Sequence, residues 1–294
     1  MQNVKKFQMW LLSMLLLAAT VSQAQDRQSP VDFNPSVLDY AKLPKLKVTR
    51  LSITDLNVQN TFDPNGTNGV GGAPVPRQLC TVKANVSDPN AGTLTVNGRN
   101  YSLFEFHFHT PSEHTIDNEH SPMEVHFVFR DLAKEPGQPD SLLVVGAWIV
   151  TAKKDNREFA KIFSNLPATP SYITVSNFNL KAVFPSTSSS FRYLGSLTSP
   201  AKLDPYYPPS VAEQIADDIF PDVVIWVVSD DTIGLSSNQI EAFQALFPDG
   251  DSRNAHPIAS RRVLHDKKSP HSQQRPHPAS AGCVEVPSCE SQPF

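Results

Sequence analysis

The residues able to do chemistry concentrate between Phe104 and Arg130, where the chain reads FEFHFHTPSEHTIDNEHSPMEVHFVFR. In an extended strand successive side chains point to opposite faces, so positions i and i+2 share a face. His107 and His109 therefore project together with Glu105 beside them, while Phe106 and Phe108 point the other way, into a core. Met123 to Phe129 repeats the pattern: Glu124, His126 and Val128 share one face, and Val125, Phe127 and Phe129 the other. With the two strands side by side, three imidazoles converge and leave a fourth position open to water. Three protein ligands with an open site characterise a catalytic zinc, whereas a structural zinc is closed by four. A single strand histidine is more often a surface or satisfied core residue, but H-x-H followed by E-x-H at strand spacing is specific. Burying these imidazoles and carboxylates with no cation would also carry a large desolvation penalty.

Such a site needs a β frame, and the rest of the chain reads as one. Residues 25–58 are extended, with PKLKVTRLSITDLNV alternating apolar and polar. Residues 80–86 and 93–97 read as strands, turned at Asp88-Pro89-Asn90, and the continuous apolar run SLLVVGAWIV (141–150) reads as a buried strand. Two helices are expected as packing elements: Asp155–Leu166 and Ser236–Phe247, each opening with capping-box spacing (Asp155/Glu158 and Ser236/Gln239). Residues 59–78, rich in Gly, Asn and Pro, read as a loop. The 26 prolines favour strands and loops, and a net charge of −4 points to neither nucleic acid nor an anionic membrane surface. Residues 1–24 have the make-up of an export signal: Lys5 and Lys6, the apolar run Trp10–Thr20, then Ser22-Gln23-Ala24 as a cleavage site. That run is short for a membrane span and no second one follows. The expectation is therefore a secreted or periplasmic protein with one domain at 25–263. The polar, Pro/Ser-rich residues 264–294 read as a disordered tail.

The metal stretch resembles that of the α-class carbonic anhydrases, in the version with Thr-Pro-Ser-Glu-His after the paired histidines. QSPVDF (28–33), GTLTVNGRNYSL (92–103), YLGSLTSP (193–200) and RNAHP (253–257) resemble other segments of that family. The resemblance implies a mainly β, single-domain fold: a large, mostly antiparallel twisted sheet of about ten strands with short surface helices. It implies Zn2+ held by His107, His109 and His126, with reversible hydration of CO2 to bicarbonate and a proton by attack of zinc-bound hydroxide. Glu105, which stands where the family often has Gln, would orient His107; Glu124 would hold His126, and the Asn254 backbone would hold His109. Thr198 would take a hydrogen bond from the nucleophile and donate one to Glu113, an obligate acceptor. Val128, Val144, Leu197, Ser199, Val224 and Trp226 would line the substrate pocket, and sulfonamides and anions would inhibit.

The chain departs from the family at several points. Cys80 or Leu79 stands where the proton-shuttle histidine is usual, which predicts a slower enzyme. Residues 59–78 and 202–222 are insertions, the second with a short helix at Ser210–Phe220. The family's disulfide has no partners here, leaving Cys80, Cys283 and Cys289, of which the last two could close a loop in the tail. Asn65, Asn85 and Asn100 lie in glycosylation sequons. Two other readings compete with the enzyme: a weakly active, related binding or matrix protein, and a cupin-type metal oxygenase. The second rests on the H-x-H-x3-E spacing of His107, His109 and Glu113 and would make Glu113 a metal ligand.

Overall fold

The computed structural model describes residues 28–35, 38–41, 43, 46–63, 65, 80–133, 142–167, 171–198, 224–258 and 262–266. The first strands are β1 (Asp32–Phe33), β2 (Asp39–Tyr40), β3 (Lys47–Leu51), β4 (Ile53–Asn60), β5 (Val82–Val86) and β6 (Gly92–Val96). Next come β7 (Arg99–His109), β8 (Thr115–Ile116), β9 (Met123–Asp131) and β10 (Leu142–Ala152). The last are β11 (Tyr172–Asn179), β12 (Ser190–Gly195), β13 (Val224–Ser236) and β14 (Leu264–His265). Two helices, α1 (Ala160–Phe163) and α2 (Ser237–Gln244), flank the sheet.

Twelve of the strands form one sheet in the order β11-β4-β5-β7-β9-β10-β13-β12-β14-β2, with β6 on β7 and β3 on β6. β1 and β8 pair separately. The large sheet is mixed: β10 runs parallel to β13 and β14 parallel to β2, and the other pairs are antiparallel. The mainly β expectation holds, with twelve strands rather than ten.

The alternation in β7 and β9 separates two cores. Phe106, Phe108, Val125, Phe127 and Phe129 lie on one face in the larger core, with Phe159, Ile162, Phe163, Ile240 and Phe243 from the helical layer. Each such buried aromatic contributes on the order of 2 kcal/mol by area removed from water. The opposite face carries the histidines and a second core with Val128, Val144, Trp148 and Trp226. Because β7, β9 and β10 are interior strands covered on both faces, no edge exposes the site's backbone.

The Ser236/Gln239 capping box forms as read. The Asp155/Glu158 box does not. Gln239 engages the Asn156 backbone through both its side-chain atoms, so 155–157 turn away and regular helix is confined to Ala160–Phe163. Asn156 Oδ1 instead accepts from the Glu158 and Phe159 N–H groups. The expected tail also begins later, since Leu264 and His265 are β14, paired with Arg192 and Phe191. The export segment 1–24, residues 66–79, the 202–222 insertion with its helix, and 267–294 with Cys283 and Cys289 lie outside the described residues. Cys80 is buried in the larger core. No helix among the described residues is long and apolar enough to cross a membrane.

Candidate metal centre

β7 and β9 pair with His107 opposite His126 and His109 opposite Glu124. The pleat then brings all three imidazoles to one face, where each is at most 7% exposed. Each ring has one nitrogen already claimed. His107 Nδ1 lies 3.1 and 3.0 Å from the two oxygens of Glu105. His109 Nδ1 lies 3.2 Å from the Asp251 carbonyl oxygen, and His126 Nε2 2.9 Å from Glu124 Oε1. Carbonyls and carboxylates only accept, so those nitrogens carry the hydrogens. The remaining three, His107 Nε2, His109 Nε2 and His126 Nδ1, present lone pairs.

Ligand atoms of the three rings lie within 4.8 Å of one another. His107 Nε2 and His126 Nδ1 are only 3.3 Å apart, and His109 Nε2 has no hydrogen-bond partner. Facing lone pairs repel unless a cation lies between them. Three neutral imidazoles suit zinc, so the residues present fit the metal that the sequence implies. Burial lowers the His107 ring to about 4 despite the opposing pull of Glu105, so this ligand stays neutral near pH 7. Burial pushes Glu105 up, but its interaction with the His107 ring and the charge of Lys83 outweigh it and hold the carboxyl lowered. Burial likewise pushes Glu124 up, and His114 and His126 outweigh it, leaving this carboxyl well below its ordinary value.

Glu124 does more than hold one ligand. Its Oε2 accepts the His114 backbone N–H (2.8 Å) and its Oε1 lies 2.7 Å from His114 Nδ1. His114 Nε2 in turn lies 2.6 Å from the Tyr193 hydroxyl, which is 3.1 Å from Ser29 Oγ. His114, Glu124 and His126 also cluster at metal-like distances. Both ring nitrogens facing Glu124 are donors, however, so this group is a brace for His126. Gly146 on β10 leaves room for the carboxylate, because a Cβ there would meet Glu124 Oε1 at 3.0 Å. Sequence reasoning gave His114 and Tyr193 no role, although both stand in the segments that carry the resemblance.

The partner of His109 differs from expectation. It is Asp251 rather than Asn254, whose side is exposed. Gly250, at φ +79, turns the chain so that the Asp251 N–H donates to Thr110 O and Thr110 N–H donates to Asp251 Oδ1 at 2.7 Å. A Cβ at Gly250 would lie 2.8 Å from Thr110 O, so only glycine fits both demands. Burial pushes the Asp251 carboxyl up to about 7, against the pull of His109.

The expected Thr198–Glu113 hydrogen bond is also not formed. Glu113 Oε1 accepts the Arg253 N–H (3.0 Å), while Oε2 has no hydrogen-bond partner. That free oxygen is turned to the histidines, 3.6 Å from His109 Nε2 and 3.9 Å from His126 Nδ1. Thr198 lies buried beside a small cavity of about 20 Å³, with Lys83, Glu105, His107 and His126. Val128, Val144, Leu197 and Trp226 form its apolar side. Val224 is buried in the core behind them and does not line it, and Ser199 lies outside the described residues. The opening segment of the domain locks the closing one, with Arg253 donating to Ser29 O (2.6 Å) and Gln28 Oε1 (3.2 Å). Ser196, just before Leu197, donates its N–H to Ser29 Oγ.

Comparison with known proteins agrees with this geometry. The model of the eukaryotic-type carbonic anhydrase family matches residues 17–204, and the chain belongs to that family. A carbonic anhydrase of Neisseria gonorrhoeae is 34% identical over 175 residues, 59% of this chain and 58% of the relative. One from Pectobacterium atrosepticum is 28% identical over 187 residues, 63% of this chain and 66% of that protein. The matches thus span about three fifths to just under two thirds of these relatives' length. The α-carbonic anhydrase of Thermovibrio ammonificans, solved with the inhibitor sulfanilamide, superposes with a TM-score of 0.61 at 25% identity. That match covers 81% of this chain and 87% of the other. Dioscorin solved with ascorbate shares the fold at 20% identity, with a TM-score of 0.61 over 83% of this chain and 87% of that one.

Proposed function

We propose that the protein is a zinc enzyme that reversibly hydrates carbon dioxide to bicarbonate and a proton. The observation that carries the reading is the convergence of three buried, neutral lone pairs beside a small apolar-sided cavity. Zinc held there supplies a nucleophile from water at neutral pH, the activation for which this family is the best-known case. His107, His109 and His126 bind it, and Glu105, the Asp251 carbonyl and Glu124 keep their hydrogens on the outer nitrogens. Val128, Val144, Leu197 and Trp226 seat the apolar substrate and keep bulk water from it. Glu113 accepts the Arg253 N–H and ties the closing segment to the site, and the Thr198 N–H, beside the cavity, anchors the anionic product.

The buried Cys80 thiol cannot carry a proton to solvent as an exposed imidazole would, so proton removal limits turnover. Family membership removes the cupin reading. Residues 1–24 direct export and the domain follows them, which N-terminal sequencing of the mature protein would test by a start at Gln25. The function is tested by stopped-flow CO2 hydration with the zinc-loaded chain, with and without a sulfonamide. Fast hydration abolished by the sulfonamide is expected. Folded, zinc-containing protein with no hydration would overturn the enzyme reading in favour of a binding protein.

A further inference from the structure

One buried carboxylate oxygen at the metal centre has no hydrogen-bond partner among the described residues: Oε2 of Glu113. Glu113 Oε1 accepts the Arg253 N–H, while Oε2 faces His109 Nε2 at 3.6 Å and His126 Nδ1 at 3.9 Å. Those two nitrogens are among the three whose lone pairs point to the metal position. The spacing is too long for a hydrogen bond, which closes to about 2.7–3.2 Å. It is close to what donors sharing one cation require, since ligands about 2.0–2.2 Å from a tetrahedral zinc stand about 3.3–3.6 Å apart. His107 Nε2 and His126 Nδ1 show the same spacing, at 3.3 Å. A carboxylate oxygen and two imidazole lone pairs buried face to face are costly unless a cation joins them.

The chain pins Glu113 on both sides, so this orientation is built in. The Ser112 N–H donates to Ser121 O at 2.9 Å, and Ser112 Oγ accepts the Ser121 N–H at 2.9 Å. On the other side the His114 N–H donates to Glu124 Oε2 at 2.8 Å, and the His114 ring is held between Glu124 and Tyr193. Motion of Glu113 is thereby confined to its side chain, whose Oε1 is tied to Arg253. Three neutral imidazoles leave the full charge on zinc. A carboxylate as fourth donor lowers that charge and fills the position that water takes in an open site.

We propose that Glu113 is a displaceable fourth ligand: it closes the metal site at rest, and water or an anion binds only when Oε2 leaves. The proposal takes the metal at this site from the proposed function. The test uses the full-length chain and its Glu113→Gln variant, whose amide oxygen can still accept the Arg253 N–H. Zinc affinity is measured by chelator competition, and thiocyanate binding by visible absorption of the Co2+-loaded forms. The two affinities are expected to move in opposite directions. Zinc binding weakens about 10–100-fold in the variant, at least the scale of losing an outer partner of a ligand. Thiocyanate binding strengthens about tenfold, because a site closed about nine-tenths of the time has an apparent Kd about tenfold above the intrinsic one. A residue that only orients or packs would weaken both. Equal or weaker thiocyanate binding in the variant, or zinc affinity within about twofold of the parent, overturns the proposal. The thermal transition checks the variant's fold. Should it not fold, the Co2+-loaded parent decides alone: water-proton relaxation that finds a water on every metal overturns the proposal, and its absence from most of them supports it. Opposed shifts in a protein that hydrates no CO2 would sink the proposed function and leave this proposal standing; hydration without those shifts has the reverse meaning.

Discussion

Exchanging Glu124 for glutamine keeps the shape of a fully buried side chain and changes only what it can accept. The carboxylate receives three hydrogen bonds: the His114 N–H on Oε2, and His114 Nδ1 and His126 Nε2 on Oε1. Glutamine has one accepting oxygen and one donating amide. If the oxygen faces the two rings, the amide meets the His114 N–H as donor against donor across 2.8 Å. If the oxygen faces the backbone instead, both rings must move their hydrogens. His126 then carries one on Nδ1 and has no lone pair for zinc. The first arrangement leaves a buried N–H unsatisfied, about 1–3 kcal/mol, and weakens two charge-assisted bonds. The second removes a ligand. We therefore expect Glu124→Gln to lower the stability of the metal-free protein by about 2–3 kcal/mol and zinc affinity by about 10–100-fold. Denaturant unfolding and competition with a zinc chelator measure the two. Zinc affinity within about twofold of the parent, with unchanged stability, would refute the assignment of Glu124 as the brace that sets the His126 tautomer.

Three further outcomes are expected. A proton held at a pKa near 7 reaches water on the order of 10³ times per second, from diffusion-limited recombination of about 10¹⁰ M⁻¹s⁻¹. Added imidazole buffer should therefore raise CO2-hydration turnover several-fold, and a rate indifferent to buffer would mean that another route carries the proton. Gly146→Ala presses a methyl against Glu124 Oε1, so zinc affinity should fall about tenfold through the displaced carboxylate; affinity equal to the parent would show that the carboxylate shifts freely. In the metal-free protein, His107 titrates lower folded (about 4) than unfolded (6.5), so acidification through that window loses about 3 kcal/mol of stability. Asp251 titrates higher folded (about 7) than unfolded (3.8), so it favours the fold toward acid and opposes that loss. Asp251→Asn should therefore make stability fall more steeply between pH 6.5 and 4, and equal slopes in denaturant unfolding would sink the pairing of these two groups.

The sequence by itself determined the strand period of β7 and β9, and with it which three rings share a face and which phenylalanines build the core behind them. Period-two alternation is local, and burial on both faces left these strands only one way to satisfy their side chains. It also showed Glu105 and Glu124 as ring partners, because each lies two residues from its histidine on the same strand. Partners brought from far along the chain were decided by tertiary structure. Asp251 reaches His109 across 142 residues only because Gly250 turns there with positive φ, and a neighbouring Asn254 is indistinguishable from it in a linear reading. The shortened α1 was set by Gln239, 83 residues from the Asn156 backbone it holds. Sequence analysis assigned no role to Lys83, Arg130 or Phe104. The β5–β7–β9 pairing and the bulge at Phe104 bring them around one cavity, since side-chain directions across three strands depend on a register that no single strand contains.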